Sequence, residues 1–126
     1  MVSIDGMTIG FVGLGLMGKP MCRNLIDGGA QLVATNRSEA PRVEIAEAGA
    51  AVVDSPAEVA ARTRIIVVMV ADTAAVDAVL NGENGLLSRI EEETLIIDMG
   101  TTSVPATREF GERVRAKGGD LSLIHI

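Results

Sequence analysis

The sequence contains almost no aromatic residues and a single cysteine. Two of its 126 residues are Phe and none is Trp or Tyr. A core must therefore be built from aliphatic side chains, as is usual where helices cover both faces of a parallel sheet. Cys22 alone cannot form an internal disulfide, and the sequence shows no secretory signal pattern. These absences favour an α/β domain in the cytoplasm.

Basic surface charge and long apolar runs are also lacking. The formal net charge is −6, which opposes binding to nucleic acid or to an anionic membrane, because both need a basic surface. The longest apolar run, residues 65–71, is too short to cross a bilayer and is typical of a buried strand. We therefore expect one compact domain with no metal site and no nucleic-acid or membrane partner.

Segments typical of strands and helices alternate along the chain. The predicted strands are residues 7–12, 31–35, 51–53, 65–70 and 95–98, and the predicted helices are residues 16–26, 39–48, 56–62, 73–80 and 104–117. Ser55, Asp72 and Ser103 are placed to cap helices, and Gly82 is expected to end one in the left-handed conformation. This alternation predicts an α/β fold with a doubly wound, mostly parallel sheet that stops before a sixth strand.

A glycine-rich loop stands where the first predicted strand meets the first helix. Residues 13–18 have the sequence Gly-Leu-Gly-Leu-Met-Gly, which matches GxGxxG. A pyrophosphate needs a close backbone approach, unpaired amide donors and a positive helix end, and such a loop supplies all three in this position. The alternative is a purely structural turn. The context favours a Rossmann dinucleotide-binding site, whose predicted cofactor-binding residues are Gly13, Leu14, Gly15, Leu16, Met17 and Gly18.

The end of the second predicted strand indicates which dinucleotide binds. NAD-selective sites place Asp or Glu about 20 residues beyond the first glycine, where it binds the ribose 2′-hydroxyl. Here Asn36 holds that place, followed by Arg37 and Ser38. A 2′-phosphate would find an amide donor, a guanidinium able to pair bidentately and a hydroxyl. We expect NADP, with NAD as the weaker cofactor; the alternative is that Arg37 is a solvated surface residue.

Residues 11–25 carry a longer and more specific pattern. They have the sequence Phe-Val-Gly-Leu-Gly-Leu-Met-Gly-Lys-Pro-Met-Cys-Arg-Asn-Leu. This resembles the N-terminal signature of the β-hydroxyacid dehydrogenase family, which includes 3-hydroxyisobutyrate dehydrogenase and tartronate semialdehyde reductase. Met21 and Asn24 extend the match beyond a generic loop, whereas Cys22 replaces the usual Ser or Ala. The resemblance covers roughly residues 7–120.

The resemblance also implies further cofactor-binding residues. Residues 69–73 are similar to the family's segment after the fourth strand, which implies that Val70 and Ala71 line the cofactor groove. Residues 98–105 are similar to its Asp-x-Ser-Thr-x-x-Pro stretch with one residue inserted. This implies that Thr101 lies near the nicotinamide.

The family resemblance implies an enzymatic activity that needs residues outside this chain. An intact parent would transfer hydride reversibly between NADP and a small 3-hydroxy acid or its semialdehyde, with a lysine as acid and base, and would form a homo-oligomer. The catalytic lysine and the all-helical C-terminal domain follow the matched region, and Lys19 and Lys117 match other positions. We therefore expect a fragment that binds the cofactor, has no catalytic residue of its own and is inactive.

The last six residues fall outside the resemblance. The codons CTG TCT CTT ATA CAC ATC would encode Leu-Ser-Leu-Ile-His-Ile, and the same nucleotides spell the transposon-end adapter of DNA library preparation. We expect residues 1–120 to form the Rossmann domain and residues 121–126 to be a non-native, translated tail. His125, the single histidine, lies in that tail and is no candidate for acid–base catalysis.

Two other functions are compatible with this sequence. The parent could be an imine reductase-like member of the same superfamily, since those enzymes share the N-terminal signature and replace the lysine. Alternatively, the chain could be a stand-alone NADP-binding module that senses redox state. An unpaired sheet edge would argue against the second interpretation, because exposed edges promote aggregation.

Overall fold

The computed structural model describes residues 6–15, 18–70, 72–99 and 104–123. The strands are β1 Thr8–Val12, β2 Gln31–Thr35, β3 Ala51–Val52, β4 Ile65–Val68, β5 Leu95–Asp98 and β6 Asp120–Leu123. The helices are α1 Gly18–Asp27, α2 Glu39–Ala48, α3 Pro56–Arg62, α4 Thr73–Asn81 and α5 Val104–Ala116, with a 3-10 helix at Leu86–Ser88. The predicted bounds of β2, α2, α3 and β5 are confirmed. The other bounds differ by one or two residues, except that the predicted start of the first helix at residue 16 lies outside the described residues.

The six strands form one parallel sheet in the order β3-β2-β1-β4-β5-β6. The chain runs outward from β1 to β3, then crosses back to place β4 on the other side of β1. This reversal makes a crevice at the carboxyl ends of β1 and β4, which is where open α/β sheets bind ligands. The predicted doubly wound parallel fold is therefore confirmed.

The expectation that the sheet stops before a sixth strand is wrong. β6 pairs in parallel with β5, with Asp120 beside Leu95 and Leu123 beside Asp98. The strand forms because α5 returns the chain to the sheet edge, where β5 offers unpaired backbone groups. Leu121 is also partly buried against the core. β6 thus crosses the predicted domain boundary after residue 120, while the origin of residues 121–126 stays a prediction.

Aliphatic side chains form a separate core on each face of the sheet. One face packs against α1 and α2 and contains Ile9, Phe11, Leu32, Ala34, Val67, Cys22 and Ile45. The other packs against α3, α4 and α5 and contains Val12, Val33, Ile66, Val68, Ile96, Val59, Val76, Leu80, Phe110 and Val114. Successive strand residues alternate between the two faces, as the two-residue period of a strand requires. Phe11 and Phe110, the two aromatic residues, lie on opposite faces.

The helix ends test the predicted caps. Ser55 Oγ accepts from the Glu58 N–H at 3.3 Å, and Asp72 Oδ1 accepts from the Ala75 N–H at 2.8 Å, so both N-caps are confirmed. The predicted cap Ser103 lies outside the described residues. The left-handed stop at Gly82 is wrong: its φ is −62° and its ψ is 168°. Gly82 N–H instead closes the last turn of α4 on Ala78 O at 3.0 Å, so no left-handed residue is needed.

Candidate functional site

A cleft of about 470 Å³ opens at the carboxyl edge of the sheet, beside the reversal between β1 and β4. Five parts of the chain contribute to it: the loop after β1, the end of β2, the loop after β3, the end of β4 and one face of α4. Its lining residues are Val12, Gly13, Leu14, Gly15, Thr35, Asn36, Arg37, Asp54, Pro56, Met69, Val70, Ala75, Ala78 and Val79. The topology thus brings the glycine loop and the end of β2 into one site, as the sequence predicts.

The described glycines of the loop differ in what a side chain at each position would contact. Gly13 has a φ of +104°, and a Cβ there would lie 2.0 Å from Met69 O. A Cβ on Gly18 would lie 2.2 Å from Gly13 O, so a side chain at either position would clash with backbone. A Cβ on Gly15 would meet no atom within 4 Å, and this residue is exposed at the cleft. Gly15 is therefore where a ligand can approach the backbone.

Two hydrogen bonds tie the loop to the end of β2. Gly13 N–H donates to Thr35 O at 3.1 Å, and Leu14 N–H donates to Asn36 Oδ1 at 3.0 Å. The Leu14 side chain is fully buried in the core below. The Gly15 N–H, by contrast, makes no hydrogen bond to any of the residues that the structure describes. The loop is thus held in place with an open amide at its outer position.

Asn36 has a role that sequence reasoning missed. Its Oδ1 holds Leu14, and its Nδ2 donates to Ser38 O at 3.2 Å. One amide hydrogen is left for a ligand, so the predicted contact with a 2′-phosphate stays a prediction. No sequence pattern indicates this bond, because the two residues are 22 positions apart.

Arg37 and Ser38 follow Asn36 at the start of α2. Arg37 is exposed and lines the cleft, and within the described part of the chain no ion pair or hydrogen bond engages its guanidinium. Ser38 occupies the N-cap position of α2 with an extended backbone, yet its hydroxyl makes no capping hydrogen bond. Both side chains therefore remain available to a ligand at this end of the cleft.

The residues implied by resemblance fall partly outside the described chain. Val70 is half-buried and lines the cleft beside β4. Leu16, Met17, Ala71 and Thr101 lie outside the described residues. β4 is shorter than predicted because Met69 and Val70 leave the sheet at its edge and contribute to the cleft.

Several lining residues were not predicted from the sequence. These are Val12, Thr35, Asp54, Pro56, Met69, Ala75, Ala78 and Val79. Half of them, Val12, Thr35, Asp54 and Met69, lie at or just after the end of a strand. The rule that ligands bind at the carboxyl ends of parallel strands would have found these four. Asp54 is the single carboxylate among them, and its Oδ1 lies 3.4 Å from Arg42 Nη1.

The cleft offers a ligand one cationic and one anionic side chain. Its ionisable residues, Arg37 and Asp54, are both exposed. Cys22 is no nucleophile for it, because burial raises the pKa of this thiol to about 12 and keeps it uncharged. Across the described ranges, no group of three or more His, Cys, Asp or Glu residues could hold a metal ion. In the same part of the chain, no helix is both long and apolar enough to cross a membrane.

Comparison with known families and proteins agrees with this geometry. Residues 8–122 match the family described as the NAD binding domain of 6-phosphogluconate dehydrogenase. The 2-hydroxy-3-oxopropionate reductase of Escherichia coli K12 is 39% identical over 114 residues, covering 90% of this chain and 39% of that protein. The chain thus spans about two fifths of the length of this curated relative.

Solved structures share the fold over nearly the whole chain. The 3-hydroxyisobutyrate dehydrogenase of Mycobacterium tuberculosis, solved with L-serine, superposes with a TM-score of 0.82 at 28% identity, covering 95% of this chain and 40% of that one. An imine reductase from Myxococcus stipitatus in complex with NADP+ gives a TM-score of 0.85 at 25% identity, covering 94% and 40%.

Proposed function

The chain belongs to the family of the NAD-binding domain of 6-phosphogluconate dehydrogenase, and on that premise we propose that it binds NADP in the cleft beside β1 and β4. It would do so as the cofactor-binding part of an oxidoreductase that interconverts a small 3-hydroxy acid and its semialdehyde. The observation that carries this proposal is the open Gly15 backbone at the reversal of the sheet.

The described residues fit a dinucleotide along the cleft. A pyrophosphate would lie against Gly15, where no Cβ intervenes and where the N–H has no partner among the described residues, close to the positive N-terminal end of α1. Gly13 and Gly18 keep the loop close to β4 and to itself. The bound nicotinamide would supply hydride transfer. The chain's own residues bind and orient the cofactor, with Leu16, Met17, Val70, Ala71 and Thr101 proposed to complete its groove.

The preference for NADP depends on the residues after β2. Arg37 can pair with a 2′-phosphate, the Ser38 hydroxyl is not used as a cap, and Asn36 retains one amide hydrogen. β2 ends without the carboxylate that would repel a phosphate there. These features support Asn36, Arg37 and Ser38 as the ribose-phosphate end of the site.

The reaction class is proposed from the relatives. The E. coli protein is named as a reductase of 2-hydroxy-3-oxopropionate and the M. tuberculosis protein as a dehydrogenase of 3-hydroxyisobutyrate. Both names describe small hydroxy acids or their semialdehydes, which supports the same substrate class for a whole protein that contains this domain. We infer that such a protein is a cytoplasmic homo-oligomer and that its catalytic lysine is not part of this chain.

An imine reductase parent is the second candidate. The observation that favours it is the superposition with the Myxococcus stipitatus enzyme, which is 25% identical and was solved with NADP+. The relatives named for hydroxy acids are more similar in sequence, so the hydroxy acid proposal takes precedence. A stand-alone redox sensor is the third. β6 completes a sixth strand, so a missing strand no longer argues against it.

A fluorescence titration with NADPH and NADH tests the proposed site. Since the chain has no Trp, the signal comes from the reduced nicotinamide itself. Arg37→Ala should weaken NADPH binding by roughly tenfold or more, the value of a charge-assisted contact, and leave NADH binding within twofold. Arg89→Ala, at an exposed position outside the cleft, is the matched control. Equal weakening of both cofactors by Arg37→Ala would refute the phosphate contact.

A further inference from the structure

Asp54 lines the same cleft as Asn36 and Arg37, which are proposed to bind the ribose end of the cofactor. β2 and β3 pair in parallel with Ala34 beside Val52, and Val53 N–H donates to Ala34 O at 2.9 Å. Asn36 and Asp54 each follow this pair by two residues, just beyond the ends of β2 and β3, and both line the cleft. Neighbouring strands are about 4.8 Å apart, so a carboxylate is presented one strand away from the position where NAD-selective sites carry theirs.

The environment of Asp54 holds the carboxylate at the cleft. The side chain is 92% exposed, and its Oδ1 lies 3.4 Å from Arg42 Nη1 on α2. The Asp54 N–H donates to Glu58 Oε2 at 3.4 Å, which fixes the backbone. Arg42 is itself mostly buried, and its Nε is a buried donor with no hydrogen-bond partner in the described part of the protein. Arg42 therefore contacts the Asp54 carboxylate from α2 and positions it.

Among the described residues that line the cleft, Arg37 is a cation without an ion-pair partner and Asp54 is a carboxylate, and the two have opposite effects on the cofactor. The Arg37 guanidinium attracts a 2′-phosphate. A carboxylate accepts a hydrogen bond from a ribose hydroxyl, as in NAD-selective sites, and repels a phosphate. Since both residues line the same cleft, the selectivity of the site depends on both of them.

We propose that Asp54 is a specificity-determining residue, whose carboxylate accepts the ribose 2′-hydroxyl of NADH and opposes the 2′-phosphate of NADPH. This inference rests on the proposed function, since it requires a dinucleotide in the cleft. It predicts that the NADP preference expected from residues 36–38 is smaller than those residues alone would produce. Arg42 acts as a positioning residue that limits the repulsion by pairing with Asp54.

The test is a comparison of dissociation constants for NADPH and NADH in the full chain and in Asp54→Asn. Removing the charge should tighten NADPH binding by about threefold to tenfold, as expected for unit charges several ångströms apart near a surface. It should weaken NADH binding by about threefold or more, because a charge-assisted hydrogen bond becomes a neutral one. The selectivity ratio should therefore rise by roughly tenfold. Glu112→Gln on α5 is an exposed control with the same charge change.

Each outcome has a defined meaning. A ratio within twofold of both the unsubstituted chain and Glu112→Gln overturns the role of Asp54 and leaves the proposed function standing. An unsubstituted chain that binds neither cofactor overturns the proposed function and this inference together. Circular dichroism checks folding, and Asp54→Ala replaces Asp54→Asn if the latter is unfolded; the same rise in ratio is expected.

A double-mutant cycle tests the role of Arg42. Arg42→Gln should lower the ratio in the unsubstituted chain and leave it unchanged in the Asp54→Asn background, because Arg42 acts through Asp54. An equal effect of Arg42→Gln in both backgrounds would mean that Arg42 contacts the cofactor directly, and would overturn its positioning role.

Discussion

Replacing Gly13 and Gly15 by alanine should separate a glycine needed for folding from one needed for the ligand. In Gly13→Ala the new Cβ would lie 2.0 Å from Met69 O at a φ of +104°. Left-handed backbone strain and overpacking each cost about 1–3 kcal/mol, so the free energy of unfolding should fall by roughly 2–5 kcal/mol. In Gly15→Ala the Cβ meets no protein atom. Reduced freedom of the unfolded chain should make this variant equally stable or more stable by about 0.4–1 kcal/mol.

The assay pairs stability with cofactor affinity. Urea unfolding followed by circular dichroism measures the free energy of unfolding, and NADPH fluorescence measures binding. Gly15→Ala should lose at least about tenfold in NADPH affinity because its methyl group occupies the space of the pyrophosphate. The folded fraction of Gly13→Ala should fall, because typical domains have only about 5–15 kcal/mol to lose.

Two results would refute this reasoning. If Gly15→Ala binds NADPH as tightly as the unsubstituted chain, the pyrophosphate does not lie against this residue. If both variants are destabilised equally, the contrast between the crowded and the open glycine is wrong. Gly111→Ala provides a control, since the atoms nearest to its Cβ would belong to the flexible Arg115 side chain, the first at 3.3 Å.

Two further predictions concern the loop tie and the buried thiol. Asn36→Leu should lower the free energy of unfolding by about 1–3 kcal/mol, because the half-buried Leu14 N–H loses its acceptor. Asn36→Asp should keep that hydrogen bond and shift binding towards NADH. Urea unfolding and cofactor titration check both variants, and equal stability of the two would contradict the role of the Asn36–Leu14 bond. Burial raises the pKa of Cys22 from 9.0 to about 12, so the contribution of the buried thiol to stability is present below about pH 9 and is lost as the pH rises from 9 towards 12. The free energy of unfolding should therefore fall between pH 8 and pH 10 in the unsubstituted chain and not in Cys22→Ala. An equal fall in both chains would contradict this prediction.

The predictions that held depend on short stretches of sequence. The N-caps at Ser55 and Asp72 each use a bond to a residue three positions later, and the bounds of β2 follow from a local apolar run. The glycine loop could be predicted because the spacing of its three glycines is typical of a single turn between a strand and a helix. The prediction for Gly82 was wrong because a glycine after a helix can have more than one structural reason. Here a Cβ would come within 2.5 Å of Ala78 O, and the residue does not have a positive φ.

Only part of the candidate site could be predicted from the sequence. Residues 13–18 and 36–38 stand out because they match a known pattern, whereas Asp54 and Pro56 match none and enter the cleft through the pairing of β3 with β2. The bond between Asn36 and Leu14 is likewise invisible from sequence, since it joins residues 22 positions apart.

The alternation of strands and helices, the aliphatic core and the position of the glycine loop could all be predicted from the sequence, because each depends on residues close together in the chain. Three other features became evident only in the folded chain: residues 120–123 pair with β5, Asn36 holds the loop, and Asp54 shares a cleft with Arg37. Each of these requires distant segments to meet. Such meetings follow from the strand order, which places the carboxyl ends of β3, β2, β1 and β4 side by side.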